Sequence, residues 1–209
     1  MAEWSTIASL STAAGTLVLA VATFSSVRAS QRSARIAEQA LLIGRRPVLA
    51  PSREDDPQQT VTFADRHIVT VPGGGASVEL EDDRFYFVMP LRNVGAGIAV
   101  LHSWRIQPRI GIQDEPEIEA FRRQTRDLFI PAGEIGFWQA AMREHDDEMR
   151  AGLDQIYEEQ APFTIDLLYS DHEGGQRAVS RFTMWPTDAG RWLPALSRHF
   201  RLDGVNPRA

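Results

Sequence analysis

The sequence predicts an α+β protein that is mainly β: an N-terminal transmembrane helix, then an antiparallel β-sandwich of the Ig-like type with short helical insertions. Three observations predict it. Residues 4–27 carry no charge. From Pro47 onward, short apolar segments repeat with a period of two. Runs rich in Gly, Pro and Asp separate those segments, as turns between strands require. The chain therefore divides into residues 1–46, the helix with its basic extension, and 47–209, the sandwich.

The uncharged run is long enough for a bilayer core, which needs about 20 apolar residues in helix. Its centre, Leu17, Val18, Leu19, Ala20, Val21 and Ala22, is apolar, although Ser and Thr are interspersed. A soluble helix of this length would show a charged face. A secretory leader would place basic residues before the run, whereas here Glu3 precedes it and Arg28, Arg32 and Arg35 follow. Positive residues stay on the cytoplasmic side, so the N-terminus is expected outside and the folded domain inside. Trp4 would mark the outer interface. Residues 29–43 continue as helix, with Ile36, Ala40 and Ile43 on one stripe, until Gly44 followed by Arg45, Arg46 and Pro47 stops it. The arginines suit anionic lipid headgroups. Thr12, Thr16 and Ala20 form a small-residue face on which a second copy would pack, making a homo-oligomer.

In the second part, Phe85, Phe87, Met89 and Leu91 alternate with Tyr86, Val88, Pro90 and Arg92, a strand pattern. Residues 98–106, 163–169 and 177–185 read as three more strands, the last two joined by a hairpin turn at Asp171, His172, Glu173, Gly174 and Gly175. Shorter strands are expected near Val48, Val61, Ile68, Val78, Leu128 and Phe137. Helices are expected at 117–125 and at 144–159, where Met149, Leu153, Ile156 and Tyr157 share a face. Trp192, Leu196 and Phe200 stand at helical spacing and predict a short closing helix.

The run Leu91, Arg92, Asn93, Val94, Gly95, Ala96, Gly97, the hairpin from Tyr169 to Gln176, and the ending Arg198, His199, Phe200, Arg201, Leu202, Asp203 resemble a group of uncharacterised bacterial proteins, mainly actinobacterial, with an N-terminal membrane helix and a small β-sandwich. The resemblance covers most of the chain. It implies a bacterial inner membrane as the location and no particular activity.

Composition removes several chemistries. There is no cysteine, so thiolate catalysis, disulfides, iron–sulfur clusters and cysteine zinc sites are excluded. The basic residues are all arginine, so no lysine is present to hold a P-loop phosphate or form a Schiff base. Residues 1–46 carry five Arg against two Glu, a net of +3; the chain totals −6, leaving −9 for 47–209. An acidic domain is a poor binder of nucleic acid, whose affinity comes from neutralising phosphates.

The local motifs point to structure. Asn93, Val94, Gly95, Ala96, Gly97 contains Gly-x-Gly but has Val100 where a dinucleotide fingerprint needs Gly or Ala, so it reads as a turn with glycines at positive φ. Gly73, Gly74 and Gly75 lack the Lys-Ser/Thr of a phosphate loop and read as a flexible connection. His145, Asp146, Asp147 and Glu148 point in different directions on a helix, where acidic residues suit the first turn. The histidines at 67, 102, 145, 172 and 199 are scattered. Trp104, Trp138, Trp185 and Trp192 are expected in the core. No catalytic, cofactor-binding or metal-ligating set is assigned, and no cofactor is expected. Asp171, His172 and Glu173 are the candidate contacts to a partner or ligand, and Arg28, Arg32 and Arg35 the membrane-proximal basic residues. The function expected is a non-catalytic, membrane-anchored, cytosol-facing binding or sensor module for a protein partner or small ligand. The alternatives are a membrane-bound hydrolase or metal-dependent enzyme using Asp171 and His172, and a membrane effector that oligomerises on signal binding.

Overall fold

The computed structural model describes residues 2–111, 114–142, 147–188 and 190–202; within its helices, the side chains of 2–14, 39, 42, 43, 147 and 148 are outside that description. The chain forms two compact units that divide after Gly44.

The first unit is one helix, α1 (Ala2–Gly44). It runs unbroken because it contains no proline, and its only internal glycine, Gly15, meets no neighbour. It ends at Gly44, as expected. Leu17, Val18, Leu19, Val21, Phe24 and Ile36 are each more than half exposed. Among the described residues no helix is long and apolar enough to cross a membrane. The side chains of 2–14, which supply the first part of the uncharged run, lie outside those residues, as do those of Trp4, Thr12 and Ile43. From Gly15 to Arg28 only 13 uncharged residues remain, fewer than the about 20 that a span takes.

The second unit is mainly β and entirely antiparallel in its sheets. Its strands are β1 (Leu49–Pro51), β2 (Gln59–Thr62), β3 (Ile68–Val71), β4 (Ser77–Glu81), β5 (Arg84–Asn93), β6 (Ala99–Gln107), β7 (Arg122–Ile130), β8 (Ile135–Met142), β9 (Phe163–Ser170), β10 (Ala178–Pro186) and β11 (Trp192–Arg201), with a helix α2 (Asp147–Glu159) between β8 and β9. In the four-stranded sheet β5 is central: β1 and β4 share one of its edges and β8 lines the other. The five-stranded sheet has the order β11-β10-β9-β6-β7. The hairpin β2-β3 stands apart.

The alternation in β5 decides which side chains go where. Phe85, Phe87, Met89 and Leu91 enter the main core with Trp138 of β8, Trp104 and Ile106 of β6, Phe163, Ile165, Leu167 and Tyr169 of β9, and Phe182 of β10. Both sheets therefore contribute to one apolar interior. Tyr86 and Val88, on the opposite face of β5, form a smaller cluster with Val61, Phe63, Val69 and Val71, so the β2-β3 hairpin covers the outside of that sheet. Helix α2 adds Leu153 and Ile156 to the main core. It is fastened by Arg150, which stacks 5.0 Å over Phe85 and donates to Asp83 in the two-residue turn between β4 and β5. Asp82 and Asp83 both have positive φ there, as a tight hairpin turn demands.

Three expectations are corrected. The helix expected at 117–125 shrinks to a single 3-10 turn (Ile118–Ala120), and β7 takes the rest, pairing with β6. The closing helix is strand β11: nine residue pairs with β10, from Pro186 opposite Trp192 to Ala178 opposite Arg201, outweigh an apolar spacing that a bulged strand also satisfies. Pro194, in the third position of that segment, tolerates the sheet edge better than a helix interior. Trp185 is 44% exposed, whereas Trp104, Trp138 and Trp192 are buried. The helix expected at 144–159 is present from Asp147 on; residues 144–146 lie outside the described residues.

Candidate functional site

The chain leaves α1 through Arg45, Arg46, Pro47 and Val48, and the loop between β5 and β6 is built to receive it. Asn93 ends β5 fully buried. Its Oδ1 accepts from the N–H of Val48 at 3.2 Å and of Gly95 at 3.0 Å, and its Nδ2 donates to the carbonyls of Gly97 at 2.6 Å and Ile130 at 2.9 Å. All four capacities of the amide are used. Gly95 and Gly97 lie outside the positive-φ glycines, so the expected reason for them fails. The physical reason is close approach: a Cβ on Gly95 would stand 2.3 Å from the Arg46 carbonyl, and one on Gly97 1.7 Å from that of Arg45. The Ala96 N–H donates to the Arg46 carbonyl at 3.1 Å, and the Val94 N–H to that of Val48 at 2.8 Å. Of the triple glycine, Gly74 has φ +73°, and Gly73 would press a Cβ to 2.3 Å from the Arg53 carbonyl, so this stretch is a tight packed turn.

Beside this cradle lies a row of polar side chains. Register places Tyr169 of β9 opposite Ala178 of β10, and Ala178 opposite Arg201 of β11. Ser180 lies opposite His199. Residues two apart on a strand share a face, so Arg201 and His199 stand on the side of the sheet that carries Tyr169 and Ser180. Directly opposite residues are about 5 Å apart. The Leu49 N–H donates to Tyr169 Oη at 3.3 Å, and Ser180 Oγ donates to the Leu49 carbonyl at 3.3 Å. Tyr169 Oη is 3.0 Å from Ser180 Oγ and 3.3 Å from His199 Nδ1. Ser180 Oγ also lies 3.4 Å from His199 Nδ1, so the phenol, the hydroxyl and the imidazole form one hydrogen-bonded group.

Arg46 donates through Nε to Gln176 Oε1 at 3.1 Å. Among the described residues neither Arg46 nor Arg201 is paired with a carboxylate. Burial, then the charge of Arg201, lowers the pKa of the Arg46 guanidinium. Burial, then Arg46 and Arg201, lowers that of His199. Burial raises that of the Tyr169 phenol. The cluster is therefore a set of donors and positive charge with a neutral imidazole among them. As a nucleophile Ser180 is badly placed: it is fully buried and its hydroxyl is held by a backbone carbonyl.

The three candidate contacts divide. Asp171 is buried, and its Oδ1 accepts from the N–H of Gly175 at 2.8 Å and of Gln176 at 3.3 Å, so it shapes the hairpin turn. His172 and Glu173 are exposed at the tip, 3.7 Å apart, and Glu173 faces Arg45 at 3.6 Å. The hairpin tip thus lies against the segment that follows α1, a proximity no sequence pattern signals. Arg28, Arg32 and Arg35 are exposed on α1. Of the other histidines, His67 bridges Glu79 at 3.0 Å and Glu81 at 2.5 Å, and His102 is 2.7 Å from Ser170 Oγ; His145 lies outside the described residues. Among the described residues no group of three or more His, Cys, Asp or Glu is arranged to hold a metal ion.

Sequence reasoning missed Arg46, Tyr169, His199 and Arg201. The only signal was Arg45-Arg46, which reads as a helix stop. A second unforeseen feature is the ion pair of Arg181 and Asp166, both fully buried on the other face of the same sheet, with Nε–Oδ1 and Nη2–Oδ2 each 2.7 Å. Gln107 donates to Asp166 Oδ2 at 3.1 Å, Arg181 Nη1 donates to the carbonyls of Gly111 and Asp114, and Phe200 lies 5.1 Å from the guanidinium. Every charge is satisfied within the protein, so this pair fastens the β6–β7 connection to the sheet. A shallow depression lined by Gln160, Pro186, Thr187, Asp188 and Gly190 lies at the far end of β10.

No family model matches the chain, and no curated protein matches it. Among solved structures it is similar to a crystal structure of a protein from Archaeoglobus fulgidus, at 9% identity over 63% of this chain and 94% of that chain, with a TM-score of 0.24.

Proposed function

We propose that the protein is a membrane-anchored, cytosol-facing binding or sensor module without catalysis: an Ig-like β-sandwich carried on one bilayer-crossing helix in a bacterial inner membrane. The observation that carries the reading is the uncharged run 4–27, followed at once by Arg28, Arg32 and Arg35. That asymmetry sets the orientation, N-terminus out and folded domain in. The unbroken helix through the run supports an anchor, because a span must satisfy its backbone internally. Two antiparallel sheets sharing one core support the sandwich. The non-catalytic reading is supported by Asp171 and Ser180, whose polar atoms are engaged in holding the backbone. The binding reading is supported by the donor-rich cluster of Arg46, His199 and Arg201.

The test is topology. A C-terminal tag is followed in spheroplasts treated with external protease. A protected tag in the membrane fraction is the expected result. A digested tag overturns the orientation, and a tag in the soluble fraction overturns the anchor.

A further inference from the structure

We propose that the β2-β3 hairpin is a pH-gated flap, latched over the outer face of the four-stranded sheet by the doubly bonded ring of His67 and loosened when that ring loses its proton. The device stands apart from the binding-module reading and needs no membrane.

Among the described residues β2 and β3 pair only with each other. No backbone ladder ties them to the sheet beneath, so side chains hold the hairpin down. A two-stranded hairpin is marginal by itself in water, which makes those side chains decisive. Val61, Phe63, Val69 and Val71 pack on Tyr86 and Val88 of β5. The polar links stand at the turn between the two strands. Asp65 Oδ2 accepts from Tyr86 Oη at 2.7 Å and from Arg84 Nη1 at 3.1 Å. His67 stacks on the Tyr86 ring, with centroids 4.0 Å apart and planes 28° from parallel. Its Nε2 is 3.0 Å from Glu79 Oε2 of β4, and its Nδ1 is 2.5 Å from Glu81 Oε2.

Register sets up that double contact. Glu79 lies opposite Tyr86, and Glu81 opposite Arg84. Residues 79 and 81 share one face of β4, the face that continues into Tyr86. A ring resting on Tyr86 therefore has both carboxylates beside it.

The proton count follows from the donors and acceptors. A carboxylate only accepts, and an imidazole carries N–H on both nitrogens only when protonated. Glu79 Oε1 already accepts from Ser77 Oγ at 2.7 Å. The imidazolium satisfies both acids at once. The neutral ring keeps one N–H and turns a lone pair toward the other carboxylate, so one attraction becomes a repulsion. The ring is only 17% exposed, so water does not readily replace the missing donor.

The other groups facing His67 hold their charge meanwhile. Asp65, whose Oδ1 accepts from the His67 N–H at 3.3 Å, is kept below the usual carboxylate range chiefly by the Tyr86 hydrogen bond. Burial raises the Tyr86 phenol. Arg66 and Arg84 stay charged. The turn thus has one constant clasp, Asp65, and one titratable clasp, His67. In acid Glu79 and Glu81 protonate and the second clasp weakens again, so closure is tightest between the two titrations.

The test exploits the absence of cysteine, since an introduced thiol then reports without background. Val88→Cys puts one beneath the flap, where Val88 is 1% exposed, and Ala140→Cys puts a control in the main core. Alkylation of the full chain in zwitterionic detergent micelles is followed from about pH 5 to 8, the interval in which imidazole changes charge. Each rate is divided by that of free cysteine at the same pH. The His67 ring of the cysteine-free chain is titrated in parallel by NMR. The expected result for Val88→Cys is a rise of about tenfold in the normalised rate, tracking the loss of the ring proton, as the loss of one charge-assisted bond at a partly exposed pair implies. Ala140→Cys should stay flat. Adding His67→Phe, which keeps a ring on Tyr86 without a donor, should hold the rate at its alkaline level throughout. Adding Glu79→Gln/Glu81→Gln should also remove the step, because amides do not require an imidazolium. A flat rate in Val88→Cys, a step that survives either change, a step apart from the His67 titration, or an equal step in Ala140→Cys overturns the flap. If His67→Phe folds poorly, the glutamate pair and the core control still decide.

Discussion

Asn93→Ala removes the amide that joins the end of β5, the segment after α1 and the end of β7. Four hydrogen bonds vanish, to the N–H groups of Val48 and Gly95 and the carbonyls of Gly97 and Ile130. Their fates differ. Val48 and Gly95 are only partly buried, so water replaces much of what is lost. Gly97 and Ile130 are buried, and their carbonyls lose a partner that water does not easily supply. An orphaned buried polar group costs about 1–3 kcal/mol. Two such groups, with a small term for the exposed pair, give a loss of about 3–4 kcal/mol, a large share of the about 5–15 kcal/mol that stabilises a typical domain. The assay is urea unfolding of the full chain in zwitterionic micelles, followed by tryptophan fluorescence, to which Trp104, Trp138 and Trp192 report from the core. Asn93→Asp sharpens the test. It keeps an acceptor for the two N–H groups but turns a second oxygen toward two carbonyls. At neutral pH it should cost more than Asn93→Ala, and the gap should narrow on acidification as that carboxyl protonates and regains a donor. A loss below about 1 kcal/mol for Asn93→Ala, with an unchanged denaturant slope, would refute the claim that this amide holds the junction.

Other outcomes follow from the same physics. Gly97→Ala should destabilise far more than Gly133→Ala in the same unfolding assay: the first drives a methyl into the Arg45 backbone, whereas the second meets open space and costs about 1 kcal/mol for its φ of +77° alone. Arg181→Met should lose about 3–5 kcal/mol by stranding Asp166, and the double variant Arg181→Met/Asp166→Leu should recover much of it, which a double-mutant cycle would measure. Because the folded-state pKa of His199 is lowered, the unfolded chain binds its proton first. The stability this residue contributes is full above the unfolded value of about 6.5 and declines as pH falls toward the folded value; His199→Gln should flatten that part of the stability–pH curve. Asp56 is lowered chiefly by its hydrogen bond from Arg92, so its contribution persists above the carboxylate range and fades only as pH falls through its depressed pKa; Asp56→Asn should remove that acid-side slope.

The periodic parts of the chain were readable from its residues. The alternation of Phe85, Phe87, Met89 and Leu91 against Tyr86 and Val88 gave β5 and both of its faces, because a strand side chain has only two directions to point. The amphipathic spacing of Leu153 and Ile156 gave α2, and the uncharged run with Gly44 gave α1, since helix propensity and a stop signal are local properties. Composition excluded thiolate and lysine chemistry outright. What the residues did not give is every property that depends on partners distant in sequence. Trp192, Leu196 and Phe200 fit a helix and a bulged strand equally, and only the free edge of β10 decided for the strand. That misreading hid the cluster around Tyr169 and Ser180: on a helix His199 and Arg201 would diverge by some 200°, whereas on β11 they share a face with Tyr169 and Ser180. Gly95 and Gly97 announced a turn, yet their need for a missing Cβ comes from Arg45 and Arg46, about fifty residues away. Local sequence set the elements; the register of the sheets and the packing of the Arg45–Val48 segment decided which charges meet, because a field is made by proximity in space and not by order along the chain.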